Sequence, residues 1–417
     1  MSDQEFLTRD EWAIVVTRHL GFSQFEVLNI QTKRLTEGVG FLGEYRFAEV
    51  TVRPQDSRKT QVLNFFIKGQ PETNQEQKEM VEKTGVFKKE VDVLSKLFVK
   101  LWSTLENDGE DMQWSARCYY TRPDVIVFED MAAKGFHVVN SRIESRWQHC
   151  AVVLKSLSNL HAASLIFEEK QPNQPYRVDS EFGDMLRDPF FVNEPGHPGI
   201  QWMVTSIAVV CRLVEEVRGA DTLRRLKTQI QEELMSLFQL VKTSDRFRNV
   251  VSQGDMWRNN IFFREEDGEP VEARMCDYQI TRYTPPANDV TCFLYITTSR
   301  SFRAQYLSQL LALYHDHLSH NLRRHGVDPE KVLPWEEFKE SCEFYKKLGV
   351  LIACMYCPVT LINEADYKDV LNSSEEYERF IQKDRLPEVT HALKNDSFYR
   401  EKIFEVIEEF IEYIENK

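Results

Sequence analysis

The chain has no surplus of positive charge: 52 Lys and Arg stand against 66 Asp and Glu, a net charge of −14 over 417 residues. Such an acidic balance excludes general affinity for nucleic acid or anionic membranes, though not one local basic pocket for a phosphorylated ligand. No apolar run reaches the roughly 18–20 residues of a membrane span. The first residues, MSDQEFLTRDEW, lack the basic and apolar regions of a secretory signal. Cysteine is sparse and scattered, eight in all, which excludes a small disulfide framework and predicts a reducing, cytoplasmic setting. Cys354 and Cys357 form a CxxC, but no second CxxC exists to complete a zinc site. They lie in the apolar, helix-like KKLGVLIACMYC and read as buried core thiols. His315, His317 and His320 in YHDHLSH read as parts of a solvated helix. Internal repeats and low-complexity segments are lacking too.

What is present is an ordinary globular composition, 42% hydrophobic and 28% charged, on a chain long enough for two lobes. A helix is predicted from Thr8 to Leu20, capped by Thr8 or Asp10. Gly38, Gly40 and Gly43 then form GxGxxG, followed by an alternating run from Tyr45 to Val52, a turn, and a second strand ending at Lys68. A dinucleotide fingerprint places its glycines between a strand and a helix. Here they fall between strands, as in a hairpin that covers phosphates, although an ordinary glycine turn has the same letters. Residues 74–102 read as one helix, with Glu90 beside its apolar stripe. ARCYYTR and DVIVFEDM read as two further strands, with a break at Glu129–Met131. From about residue 132 helical periodicity dominates: a buried helix over 146–165, a loop-rich segment over 166–200, and helices near 201–218 and 221–242. Strands are expected near 261–264 and 271–276, and a mainly helical region over 289–417. The fold class is α+β: a small antiparallel sheet with one main helix over residues 1–131, and a larger, mainly helical lobe over 132–417.

The chemistry concentrates in VSQGDMWRNNIFFREEDGEPVEARMCDYQI. Asp255 and Asn260 are 260 − 255 = 5 positions apart, and Asp277 follows a predicted hairpin at 277 − 255 = 22. Phosphoryl transfer from ATP needs a carboxylate to orient and deprotonate the attacking hydroxyl, and oxygen ligands for Mg2+ on the phosphates. A loop supplying Asp255 and Asn260, with a hairpin returning Asp277, has that logic. Upstream, the parts come in matching order. Gly38, Gly40 and Gly43 could cover phosphates, Lys68 could pair with them, Glu90 could hold Lys68, and the backbone from Phe128 through Glu129 to Met131 could meet adenine.

QGDMWRNNIFF…MCDYQITRYTPPANDVTCFLY resembles the ecdysteroid-kinase-like proteins, also called CHK-kinase-like. Their usual motifs are HGDxWxNN, DFQ and PAxDxxYF. VFEDMAAKGF, LSNLHAASL and VFKKEVDVL extend the resemblance to roughly residues 30–380. More distantly the chain is similar to the choline-kinase and aminoglycoside-phosphotransferase branch of the protein-kinase-like fold. The resemblance implies a bilobal, ATP- and Mg2+-dependent small-molecule O-kinase. Asp255 would be the base, Asn260 and Asp277 the metal ligands, Lys68 the phosphate contact and Glu90 its partner. Asp289 would brace the catalytic loop or serve as an ordinary helix cap. Trp257 and Asn259 match family positions without an evident role, and His161 matches a structural histidine. Three positions depart from the pattern. Gln253 replaces the histidine of HGD, a brace whose loss would weaken activity; Tyr278 replaces Phe; and Gly43 stands where Ser is common. The acceptor implied is an ecdysteroid-like or other apolar alcohol, with xenobiotic alcohols as the nearest competitor. A nucleotide-binding pseudokinase is the non-catalytic alternative. A protein kinase fits less well, since H-R-D and A-P-E are missing. No nucleic-acid or membrane partner is expected, and the chain reads as a monomer with a dimer open.

Overall fold

Alternating apolar residues build the N-terminal sheet. In the computed structural model, which describes all residues except 1–5, 36–42, 72–73, 106–111, 141, 364–365, 367–369 and 371–372, five antiparallel strands run in the order β1-β2-β3-β5-β4. They are β1 Phe25–Arg34, β2 Glu44–Pro54, β3 Gln61–Gly69, β4 Cys118–Arg122 and β5 Val125–Glu129. The edge strand β1 is the strand expected before the glycines, for which the sequence set no bounds. Its residues are mostly exposed or half-buried, so the two-residue alternation that marks a strand is faint. Along β3 the pleat sends Leu63, Phe65 and Ile67 to one face, where helix α1 (Arg9–Leu20) covers them with Trp12, Val15 and Val16. It sends Phe66 and Lys68 to the other face, which lines a cleft. Thr8, not Asp10, caps α1, in a reciprocal pair with Glu11.

The single helix predicted over 74–102 is broken. Helix α2 (Gln75–Thr84) ends at Gly85, whose φ of 68° is left-handed, and α3 (Val86–Asp92) starts anew. A π-helical turn, Val93–Leu97, and α4 (Phe98–Thr104) complete the run. The break lets α3 and α4 turn into the interior. Phe87, Leu94, Leu97 and Phe98 join one apolar core with α5 (Trp147–Glu169) and the helices after it. The α3–α4 run thus packs with the core of the helical part rather than with the sheet alone.

Helix α5 runs through the centre of that core, 89% of its most apolar stretch buried. By length and mean hydropathy it matches a membrane span, although Lys155, Asn159 and His161 interrupt its apolar letters. The loop-rich segment holds a further helix, α6 (Val178–Leu186). Helices α7 (Pro198–Arg218), α8 (Ala220–Met235) and the short α9 (Leu237–Leu240) precede the strands of the site. Three-residue strands β6 (Phe136–Val138), β7 (Val250–Ser252) and β10 (Arg282–Thr284) were too short to show a pattern in the sequence. β6 pairs with the hairpin β8 (Ile261–Glu266) and β9 (Glu269–Met275), and β7 pairs with β10. Then come α10 (Pro286–Thr297), α11 (Arg300–Arg324), α12 (Pro329–Val332), α13 (Trp335–Thr360) and the C-terminal helices Leu386–Asn395 and Ser397–Glu415. Cys354 and Cys357 are buried free thiols on α13, as expected. The solvated reading of the histidine cluster fails for His315, which is buried and bonded through Nε2 to the Leu333 carbonyl at 2.9 Å.

Candidate active site

A cleft of about 720 Å³ lies between the sheet and the helical part. Strand β3 delivers Lys68 to it, and α3 delivers Glu90 from behind. Both are buried, and Lys68 Nζ donates to Glu90 Oε2 at 2.6 Å. Asp277 Oδ1 is 3.3 Å from the same amine. Burial works against the Lys68 charge, but the Asp277 and Glu90 carboxylates outweigh it and hold the amine protonated, with its pKa raised. The second Glu90 oxygen accepts the Tyr278 N–H at 3.3 Å, so one glutamate fixes both the lysine and the turn after Asp277. Tyr278 keeps the aromatic contact expected of Phe, its ring 4.6 Å from that of Phe98, and its hydroxyl donates to the Met275 carbonyl.

The hairpin β8–β9 brings Asp277 back beside Asn260. Asn260 Nδ2 donates to the Asp255 carbonyl at 3.0 Å and to its Oδ2 at 2.8 Å, which turns the amide oxygen of Asn260 away from that carboxylate. Trp257 Nε1 donates to the same Oδ2 at 3.3 Å, giving Trp257 a positioning role that the sequence left open. Burial first, and then the charge of Asp277, push the Asp255 carboxyl up to about 6, against the opposing pull of Tyr356, Arg282 and Asn260. Asn259 lines the cleft.

Gln253 is fully buried and braces both halves of the site. Its Nε2 donates to the carbonyls of Cys276 and Asp277, both at 2.9 Å, and its Oε1 accepts the Asp255 N–H at 2.6 Å. Asp289 takes the brace role rather than the cap role. Its carboxylate accepts the N–H groups of Gln253 (2.6 Å) and Gly254 (3.0 Å), and it meets His161 Nε2 at 3.2 Å. His161 is buried, and Tyr314 holds its other nitrogen at 2.6 Å.

Gly254 has φ 86°, and a Cβ there would lie 2.1 Å from the Ile280 carbonyl oxygen. Gly254→Ala is therefore expected to destabilise the fold by about 2–3 kcal/mol or more, from left-handed strain plus overpacking. Gly326→Ala is the control: φ there is 75°, but nothing lies within 4 Å of a Cβ, so only the strain is expected. Urea unfolding of both variants checks this, and equal losses would contradict it.

Of the glycine motif, Gly38 and Gly40 lie outside the described residues. Gly43 sits just before β2, where a Cβ would lie 3.1 Å from the Tyr45 hydroxyl. Glu129 is engaged structurally. Its N–H donates to the Arg117 carbonyl at 2.9 Å, and its carboxylate accepts the Arg117 N–H at 2.8 Å and pairs with Lys134. Met131 lines the cleft and its carbonyl accepts the N–H groups of Lys134 and Phe136.

Sequence reasoning missed a linkage from α3 to the loop that carries Asp255. Lys89 Nζ donates to the Arg187 carbonyl at 2.6 Å, Asp188 pairs with Arg282, and Arg282 Nη1 donates to the Gly254 carbonyl at 3.1 Å. These partners are 94 positions or more apart in all but the last contact, so no local pattern announces them. Burial, aided by the charge of Arg282, lowers the Lys89 pKa to about 7 against the pull of Asp188. Between pH 7 and 10 the unfolded chain then binds more protons at this lysine than the folded one, so stability rises with pH over that window. The melting temperature of Lys89→Met minus that of the wild type is expected to fall steadily from pH 7 to 10. A flat difference would contradict the shift.

A lysine–glutamate pair under an antiparallel sheet, facing an Asp–Asn–Asp set carried by a loop and a hairpin, is the plan of a protein-kinase-like fold. The chain belongs to the ecdysteroid kinase-like family, whose model matches residues 40–327. This is a family of small-molecule kinases. Among solved structures the chain is similar to a Plasmodium vivax ethanolamine kinase, with 10% identity, a TM-score of 0.39, and 93% of this chain and 83% of that one covered. It is also similar to APH(2")-IIia in complex with GDP and kanamycin, with 10% identity, a TM-score of 0.35 and 98% and 99% coverage. A GDP complex of aminoglycoside 2'-phosphotransferase-IIIa gives 9% identity, a TM-score of 0.36 and 97% and 99% coverage. No curated protein matches the sequence.

Proposed function

We propose that this protein is an ATP-dependent O-kinase that phosphorylates a hydroxyl of an ecdysteroid-like or other apolar alcohol. The observation that carries the reading is Lys68, held between Glu90 and Asp277 in the same cleft as Asp255. Lys68 pairs with the nucleotide phosphates, and Glu90 keeps it extended. The Met131 N–H, beside the cleft, serves adenine. Asp277 and Asn260 present a carboxylate and an amide oxygen, hard donors that suit Mg2+. Bound there, Mg2+ supplies positive charge to the phosphates. Asp255 orients the acceptor hydroxyl and takes its proton as that oxygen bonds to the γ-phosphorus. The bond from the γ-phosphorus to the bridging oxygen breaks, and ADP leaves. Trp257 and Asn260 hold the Asp255 carboxylate on one oxygen, and Gln253 with Asp289 fixes the loop that carries it. Apolar and aromatic side chains in the cleft, among them Phe190, Ile280 and Ile362, favour an apolar acceptor.

ATP with Mg2+ is expected to raise the melting temperature, and ADP is expected to appear when an alcohol panel is added. A melting shift without ADP release from any alcohol would leave a nucleotide-binding module in place of an enzyme. Absence of both would overturn the nucleotide site as well.

A further inference from the structure

One carboxylate behind the cleft joins three stretches of chain. Asp188 follows α6, and its side chain is 9% exposed. Its Oδ1 accepts the N–H groups of Phe190 at 2.7 Å and of Phe191 at 2.5 Å. Its Oδ2 pairs with Arg282, the first residue of β10. The carbonyl of the preceding residue, Arg187, accepts from Lys89 of α3 at 2.6 Å. Burial works against the Asp188 charge, but Arg282, Lys89 and the two N–H groups outweigh it and keep the carboxyl ionised, with its pKa lowered.

Each of these contacts leads to the site. Phe190 lines the cleft, while the Phe191 ring packs edge-on to Trp202 at 5.5 Å in the core. The two N–H bonds to Oδ1 therefore set how the chain bends to present Phe190. On the other side, Arg282 Nη1 donates to the Gly254 carbonyl at 3.1 Å. That carbonyl and the Asp255 N–H are the two ends of one planar peptide unit. Gln253 Oε1 holds the N–H end at 2.6 Å. With both ends held, the plane cannot rotate, and it aims the Asp255 side chain. Lys89 is also the neighbour of Glu90, so α3 holds Lys68 through one residue and the Phe190 wall through the next.

We propose that Asp188 is a positioning residue for phosphoryl transfer: its carboxylate holds the cleft wall at Phe190 and the loop of Asp255 in one fixed relation. An acceptor resting on that wall then presents its hydroxyl to Asp255. Such placement matters because a shift of about 1 Å at the reacting atoms costs on the order of 10²-fold in rate. The proposal rests on the kinase reading, and the experiment separates the two.

Cyclohexanol, octanol and a hydroxylated androstane are offered with ATP and Mg2+, and ADP release is followed. Variants are compared on the alcohol that the wild type phosphorylates fastest. Asp188→Asn keeps an oxygen for the two N–H groups but breaks the pairing with Arg282. It is expected to lower kcat by about tenfold or more, with KM for acceptor and for ATP within about twofold of wild type. It also strands the Arg282 charge, so it is repeated with Arg282→Met, and the same loss is expected. Asp188→Ala with Arg282→Met frees the wall as well. The same fall in kcat is expected there, now with a rise of about threefold or more in KM for the acceptor alone. All variants should keep the melting shift given by ATP and Mg2+. Should Asp188→Asn not fold, the two double variants decide. A merely structural role would not separate kcat from KM in this way. A kcat within about twofold of wild type in the Asp188→Asn forms, or equal acceptor KM in the two double variants, overturns the role of Asp188 and leaves the kinase reading intact. Loss of folding or of the nucleotide shift in both double variants also overturns it, by making Asp188 a support of the whole fold. No transfer by the wild type to any of the three alcohols overturns the kinase reading, and this inference with it.

Discussion

Asp255→Asn is expected to lower kcat by roughly 10²–10⁴-fold, the range for loss of a general base. The change is nearly isosteric. Oδ2 already accepts from Asn260 and Trp257, and an amide oxygen can keep both bonds. Nucleotide binding should therefore persist, with KM for ATP little changed. Stability gives a second signature. The carboxyl is buried and its pKa is raised to about 6, so its ionisation by pH 7 costs the folded protein stability relative to the unfolded chain. The unfolded chain releases this proton near the usual carboxylate value, so between pH 4 and 6 the folded form binds more protons and loses stability as pH rises. In metal-free buffer at pH 7 the variant should melt no lower than the wild type, its advantage shrinking towards pH 4. A catalytic loss accompanied by a large drop in melting temperature would instead mark Asp255 as structural.

Lys68→Met is expected to destabilise the protein by about 3–5 kcal/mol and to remove the melting shift given by ATP and Mg2+. Removing one partner of a buried ion pair strands the other, and Glu90 is fully buried with Asp277 nearby. The double variant Lys68→Met with Glu90→Leu separates stability from function. It replaces the pair by apolar groups of similar size, so most of the lost stability should return while transfer and nucleotide response stay absent. Return of transfer in the double variant would show that Lys68 does not serve the phosphates. Urea unfolding and ADP release measure the two effects.

The residues of the candidate site were legible because they lie close together in the sequence. Asp255 and Asn260 share one loop, and a hairpin of ordinary turn composition returns Asp277 to them. Gln253 was legible only as a departure. Its position next to two carbonyls and one N–H shows how a carboxamide still braces the loop: it donates and accepts at once, as a neutral imidazole does. Asp289 was open between cap and brace, and three contacts to the loop and α5 decided it. The linkage through Lys89, Asp188 and Arg282 could not be read, because tertiary packing alone brings those segments together. The same holds for Tyr356 on α13, 356 − 255 = 101 positions beyond Asp255 and beside its carboxylate. In the fold, long periodic helices and the inner strands were readable. Neither the bounds of the half-exposed β1 nor the three-residue strands were, since their pairing comes from neighbours rather than from their own pattern. Gly85 shows the complementary limit: its neighbours read as helix on both sides, and its left-handed backbone supplied the break.

The most direct test is to incubate the protein with γ-labelled ATP, Mg2+ and an untargeted small-molecule extract, and to search by mass spectrometry for new phosphomonoesters. The account predicts labelled phosphate on the hydroxyl of an uncharged, largely apolar alcohol, formed by the wild type and lost with Asp255→Asn. Labelled product formed equally by both proteins, or none from the wild type while ATP and Mg2+ still raise its melting temperature, would contradict it.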